Sequence, residues 1–100
     1  MLVYNISFQI APTLQGQWLE WIKNKFIPMV KGTNCFEDHK FYEIDIAEDQ
    51  APTYTLQLFT PNAENLIQYQ DELSADIMDE LLKTWGDQCF HFITTMRIVN

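Results

Sequence analysis

The spacing of apolar residues switches repeatedly between two periods, and the order of the switches constrains the fold more than any other feature. Residues 2–10 alternate: Leu2, Tyr4, Ile6, Phe8 and Ile10 point one way, Val3, Asn5, Ser7 and Gln9 the other. That is the pattern of a half-buried strand. Pro12 cannot donate to a β ladder but suits a helix start. From Leu14 the step becomes three or four residues. Leu14, Trp18, Trp21, Ile22 and Phe26 then fall on one stripe of an amphipathic helix. Gly16 costs that helix up to ~1 kcal/mol relative to alanine. Pro28 is expected to break or kink it, and Gly32 to serve as a left-handed cap.

The period returns to two over residues 35–47. Phe36, Lys40, Tyr42, Ile44 and Ile46 share one expected face; Cys35, Glu37, His39, Phe41, Glu43 and Asp45 take the other. A polar turn ending at Pro52 leads to a third strand over 53–60. Tyr54, Leu56 and Leu58 lie on one side of it, Thr55, Gln57 and Phe59 on the other. Thr60 or Asn62 is expected to cap a second helix. Its stripe is Leu66, Tyr69, Leu73, Ile77, Leu81 and Trp85, and Gly86 stops it. A last strand runs from about Gln88 to Val99. There Phe90, Phe92, Met96 and Ile98 alternate with His91, Ile93, Thr95 and Arg97.

The order β-α-β-β-α-β within 100 residues predicts one α+β domain over 1–100. It is the ferredoxin-like split βαβ arrangement: a four-stranded antiparallel sheet with two helices on one face. Right-handed crossovers give strand order 4-1-3-2. Strands 2 and 4 are then opposite edges, three spacings of about 4.8 Å or roughly 14 Å apart. Cα atoms beyond ~7 Å cannot be bridged, so no intramolecular disulfide is expected between Cys35 and Cys89.

Composition narrows the function classes. Fourteen acidic residues against six basic ones give a net charge of −8. That argues against a nucleic-acid binder and against docking on an anionic membrane. The first residues carry no basic n-region, and no stretch approaches the roughly 18 apolar residues of a membrane helix. Two cysteines outside any CxxC pair point to the cytoplasm, with both thiols reduced. Neither a G-x-S-x-G, a P-loop nor a glycine-rich dinucleotide turn occurs, and no cofactor is expected. Glu37, His39, Glu43 and Asp45 have a spacing compatible with metal ligands on adjacent pleats. A charged edge strand is, however, a common guard against aggregation, and no metal is expected.

Two helices cover only one face of such a sheet. The strongest apolar sets (Leu2/Tyr4/Ile6/Phe8, Tyr54/Leu56/Leu58 and Phe90/Phe92/Met96) are expected to face them. Trp18, Trp21, Phe26 and Trp85 read as core at helical spacing. The open face then carries Val3, Asn5, Ser7, Gln9, Phe41, Thr55, Gln57, Phe59, His91, Ile93, Thr95 and Arg97. It is too apolar for an ordinary wet surface and too polar for a core. A mixed face of this kind suits a second copy, packed sheet to sheet as a homodimer. In one register Arg97 lies near Asn5 and Thr95 near Ser7. Asn5, Ser7, Gln57, His91 and Arg97 then line one polar pocket for a small anionic or carbonyl ligand, with Arg97 as the anchor. The plainer alternative makes the same residues dimer-interface hydrogen bonds and one interchain ion pair. A protein-interaction module is a third reading.

Three runs carry a family resemblance. Trp18-Leu19-Glu20-Trp21-Ile22-Lys23 followed by Phe26-Ile27-Pro28 resembles a W-L-x-W-[MI]-K-x-x-H-I-P pattern. Thr53-Tyr54-Thr55-Leu56-Gln57 with Thr60-Pro61, and Leu82-Lys83-Thr84-Trp85-Gly86-Asp87 leading into Phe92-Ile93-Thr94, match as well. The chain resembles an uncharacterised bacterial domain-of-unknown-function family of about this length. That family is similar to the dimeric α/β-barrel superfamily, which includes antibiotic-biosynthesis monooxygenases and haem-degrading oxygenases. The resemblance implies the fold and the dimer. It also implies, as an alternative function, a cofactor-independent monooxygenase acting on an aromatic or polyketide-like substrate. One departure counts against the enzyme: the pattern's histidine is Phe26 here.

Overall fold

A computed structural model describes residues 1–100. Four strands, β1 (Leu2–Ile10), β2 (Asp38–Glu43), β3 (Thr53–Thr60) and β4 (Cys89–Arg97), form one sheet in the order β2-β3-β1-β4. All three pairings are antiparallel. This is the expected 4-1-3-2 order read from the other edge. The first helix runs over residues 12–31 and the second over 63–85, with a π turn at Tyr69–Leu73 and a separate 3-10 turn at Gly86–Gln88 after it. Both lie over β1 and β3 on one side of the sheet.

The core between the layers follows from the alternations of the two central strands. Tyr4, Ile6, Phe8 and Ile10 of β1 and Tyr54, Leu56 and Leu58 of β3 are buried against Trp18, Ile22, Phe26, Leu66, Tyr69, Ile77 and Leu81 of the helices. Aromatic rings supply much of it. Trp18 sits 5.2 Å from Phe8 and 5.0 Å from Tyr54, centroid to centroid. Tyr4, Phe36 and Tyr69 form a second group, with Tyr69 5.2 Å from Tyr4 and 5.0 Å from Phe36. Tilted and edge-on geometries such as these add to plain area burial.

The first helix passes through Pro28 instead of breaking there. After the α-helical turns of Gln15–Trp21 it widens into a π turn at Ile22–Phe26, then resumes as α-helix over Ile27–Lys31. The Ile27 N–H donates to the Ile22 carbonyl, five residues back. A fresh α-helical segment thus begins at Ile27, and Pro28 occupies its first turn, where the missing N–H is no loss. Gly32 has an ordinary right-handed φ of −64°, so it is not the left-handed cap expected from sequence. Asn34 takes that conformation instead, at φ +60°, one of the few side chains that tolerates it. At the second helix Gly86 does adopt a positive φ, +55°.

Asn62 caps the second helix: its side-chain oxygen accepts from the Glu64 and Asn65 N–H groups at 2.8 and 3.4 Å. Replacing Asn62 with alanine strands those donors. Chemical denaturation should show a loss of about 1 kcal/mol, and an unchanged midpoint would remove the cap from the stability account.

Two expectations about the strands are corrected. β2 spans six residues, not 35–47, so the alternation does not run through Phe36. The pairing of Phe41 with Leu56 and His39 with Leu58 puts both on the helix side, and Lys40 and Tyr42 on the open face. Phe41 confirms this by stacking 5.7 Å from Tyr54. In β4 the phase is the reverse of that expected. Tyr4 faces Thr95, Ile6 faces Ile93 and Phe8 faces His91. Directly opposed residues share a face in an antiparallel pair. His91, Ile93, Thr95 and Arg97 are therefore on the helix side, while Phe90, Phe92 and Met96 are on the open face. The cause is coverage: β4 is an edge outside the shelter of the helices, so its large apolar set gains nothing by turning toward them.

Candidate functional site

The open face has an order that emerges only once the register is known. Reading across the sheet from β2 to β4, one row is Lys40, Gln57, Asn5 and Thr94. The row beside it is Tyr42, Thr55, Ser7 and Phe92, and the row on the other flank is Asp38, Phe59, Val3 and Met96. A polar stripe thus crosses all four strands, with Tyr42 and Phe92 at the ends of one flanking row and Phe59, Val3 and Met96 in the other. Asp38 and Lys40 are the only charged residues among the strand positions of this face, so it carries no net charge on a chain of −8. The Lys40 ammonium lies 5.8 Å from the centre of the Phe59 ring, within cation–π range.

The centre of the stripe is a short hydrogen-bonded chain. Thr55 Oγ1 donates to Asn5 Oδ1 at 2.6 Å, and Asn5 Nδ2 donates to Ser7 Oγ at 3.3 Å. Asn5 is 9% exposed and Ser7 7%, yet nothing from the helical layer covers them. Phe92 stands opposite Ser7 on β4 and Phe90 opposite Gln9; they are 53% and 64% exposed, with ring centres 6.5 Å apart. The bonding leaves donors over. The Ser7 hydroxyl proton, one Asn5 N–H and the Gln57 amide have no partner in the chain. Such a floor offers hydrogen bonds to an acceptor placed above it.

The five residues singled out from sequence divide between the two sides. Asn5, Ser7 and Gln57 come together on the open face. His91 pairs with Phe8 and Arg97 with Leu2, which puts both on the helix side. Asn5 faces Thr94 and Ser7 faces Phe92, so the register expected between β1 and β4 is replaced. The single pocket of all five does not assemble. Sequence reasoning missed Lys40 and Thr94 as members of the polar row, and Phe92 as its wall. Thr55 was legible on this face, from the alternation of β3, but not as the partner that fixes the Asn5 amide.

The helix side offers no comparable arrangement. Gln15 Nε2 donates to the Tyr54 hydroxyl. Trp18 Nε1, Trp85 Nε1 and the Tyr69 hydroxyl are buried without partners. No group of three or more His, Cys, Asp or Glu side chains converges as a metal site would require. Cys35 and Cys89 are both buried and free.

Burial pushes the Cys89 thiol up to about 11, and the nearby Trp18 indole pulls weakly the other way without hydrogen-bond geometry. Burial also raises the Tyr4 and Tyr69 phenols, Tyr69 further through its proximity to Tyr4 and Cys35. Each of these groups is neutral when protonated, and a raised folded-state value favours the native chain only while the proton stays on. For Cys89 that contribution is complete below its ordinary value of 9.0 and is lost as pH climbs through about 11. Urea midpoints should therefore hold steady up to about pH 8 and fall between about pH 9 and 11, with Cys89→Ala flattening part of the fall. A midpoint that rises over that window would contradict the burial of these groups.

The profile of the domain of unknown function DUF4286 matches residues 1–99. No curated protein matches. Among solved structures, an ethyl tert-butyl ether d (ethd) family protein from Bacillus halodurans is similar, with TM-score 0.71 and 16% identity, covering 98% of this chain and 100% of that one. HapK from Hahella chejuensis superposes with TM-score 0.72 at 5% identity, covering 99% and 93%. SnoaB, a cofactor-independent oxygenase from Streptomyces nogalater, gives TM-score 0.65 at 6% identity over 99% and 93%. At such identities the likeness is one of fold. Fold and function are separable.

Proposed function

The chain belongs to the DUF4286 family, and from that premise we propose that it works as a homodimer packed open face to open face, with its polar stripe as the seat of a small molecule. The carrying observation is the buried Asn5–Ser7–Thr55 chain at the centre of a surface whose walls, Phe90 and Phe92, stand exposed. An isolated monomer gains nothing from two large aromatic side chains turned toward water beside a polar row with donors to spare. Exposed apolar patches rimmed and crossed by polar groups are interaction surfaces. Charge supports the same occupant. Two copies of a −8 chain repel, and the neutral sheet face is where they approach at least cost. Size supports it too. The molecule measures 39 × 32 × 19 Å, a slab one sheet and one helical layer thick. Its broad side can supply the ~800 Å² per partner of a standard interface. An isologous two-fold contact would place two polar stripes over one another, with aromatic walls around them.

Neighbours by fold include an oxygenase, and an oxygenase reading would place its chemistry in the interior of the chain. Here Phe8, Trp18, Phe26, Phe41 and Tyr54 fill the space between β1, β3 and the first helix. The binding reading therefore stands ahead of the enzymatic one. The compartment we favour is the cytoplasm, where two buried free thiols stay reduced. No helix is long and apolar enough to cross a membrane. Sedimentation equilibrium at micromolar concentration should give twice the mass of one chain. A single-chain mass there overturns the proposal.

A further inference from the structure

The reversed phase of β4 gives Arg97 surroundings of its own. The helices leave the helix side of β4 uncovered, and Ile93, Thr95 and Arg97 are exposed there. Between this strand and the start of the second helix runs a groove of about 370 Å³. Leu2, Ala63, Leu66 and Ile67 make its apolar floor and far wall, and Thr95 and Arg97 line the β4 side. Arg97 is the chain's only arginine. It forms no ion pair, although the chain has fourteen acidic residues; the one salt bridge joins Lys83 and Glu80.

We propose that this groove binds a small apolar carboxylic acid, such as a short acyl or single-ring aryl acid, with its carboxylate on Arg97. The guanidinium fork matches a carboxylate in two parallel hydrogen bonds. The body of such a ligand matches the floor of Leu2, Leu66 and Ile67. The volume falls within the range of small-molecule sites. The charge pattern selects the class. A single cation with no second one lining the groove suits a monoanion better than a phosphate dianion. The acidic surfaces elsewhere discourage an anion, and on the neutral open face the one cation, Lys40, is offset by Asp38. The Thr95 hydroxyl, two residues earlier on the same side of β4, lies beside the anchor as a further donor. The site is separate from the open face: Thr95 and Arg97 point to the opposite side of the sheet, and face-to-face dimerisation leaves them free.

An NMR titration of the labelled full chain with octanoate, and with its neutral analogue octanamide, tests the proposal. Octanoate should saturate, moving the amides of Leu2, Leu66, Ile67 and Thr95, and should bind at least about tenfold more tightly than octanamide. Arg97→Gln should erase that ratio, and Arg97→Glu should turn the preference toward octylamine. Arg97 is exposed at a strand end, so both variants should keep the wild-type circular dichroism. Ala63→Leu, which fills the groove from its floor, should weaken acid and amide alike. Lack of saturable octanoate binding, equal affinity for acid and amide, binding untouched by Arg97→Gln, or shifts confined to the open-face strands would each overturn it. Because the readout is mapped by residue, a monomeric chain would refute the dimer without touching this result.

Discussion

Replacing Trp18 with alanine should destabilise the chain by about 3–5 kcal/mol and lower its melting temperature by roughly 20 °C. Trp18 is fully buried, and it is the largest such side chain. It is in contact with both central strands' aromatic residues, Phe8 and Tyr54, and with Phe41 of the edge strand β2. Truncation leaves a cavity between layers that backbone hydrogen bonding holds apart, so the site cannot collapse to fill it. A domain of this size has only about 5–15 kcal/mol to lose, and the variant sits near the edge of folding. The indole N–H has no partner, which separates two contributions. Trp18→Phe loses some packing but also removes an unpaired buried donor, so it should cost well under half as much as alanine. Thermal melts followed by circular dichroism measure both. A loss below about 1 kcal/mol for the alanine variant would mean that the core is not built around this residue.

The second large effect belongs to the open face. Phe92→Asp should weaken dimerisation about a hundredfold or more while the chain stays folded. Central aromatic residues commonly carry 2 kcal/mol or more of an interface, and a carboxylate placed there would also be desolvated on association. Phe92 lies in the same row as Ser7 and Thr55 and is half exposed in the single chain, so the monomer tolerates the change. Sedimentation velocity across a dilution series should show one-chain mass where the wild type shows two. Glu80→Gln, on the exposed face of the second helix, should leave self-association unchanged. A variant that dimerises like the wild type would move the interface elsewhere on the molecule.

How far such a chain can be read depends on whether each strand declares which way it faces. β1 and β3 declare it. Leu2/Tyr4/Ile6/Phe8 stand against Val3/Asn5/Ser7/Gln9, and Tyr54/Leu56/Leu58 against Thr55/Gln57/Phe59, so hydropathy alone orients them. The order of elements then yields the sheet topology, because crossovers have one hand. β4 does not declare itself. Both of its alternating sets contain large apolar side chains, and the choice rests on which face has something to pack against. That is a property of where the helices lie, not of the strand. β2 fails for another reason. It is short, and the irregular backbone between Cys35 and Asp38 interrupts the count, so parity carried across that gap misplaces Lys40 and Phe41. The candidate site inherits these differences. Asn5, Ser7 and Gln57 sit on the two unambiguous strands, so their shared face is legible from hydropathy. His91 and Arg97 sit on the ambiguous one, and their face is not. Lys40 joins the polar row only through its pairing with Gln57, a fact of register that no single-strand pattern contains.

The π turn in the first helix holds one more residue than an α-helix would need to span the same height. Pro28 depends on that spare residue. Delete one position between Ile22 and Phe26, and the ladder closes back to a four-residue step. The proline ring then meets the carbonyl one turn before it, and the helix must bend away from the sheet. The wide turn does not itself require a proline: the second helix opens in the same way over Tyr69–Leu73, where there is none. Within this fold, then, the first helix cannot lose a residue in its middle while position 28 is a proline, whereas the second helix meets no such obstacle at its own wide turn.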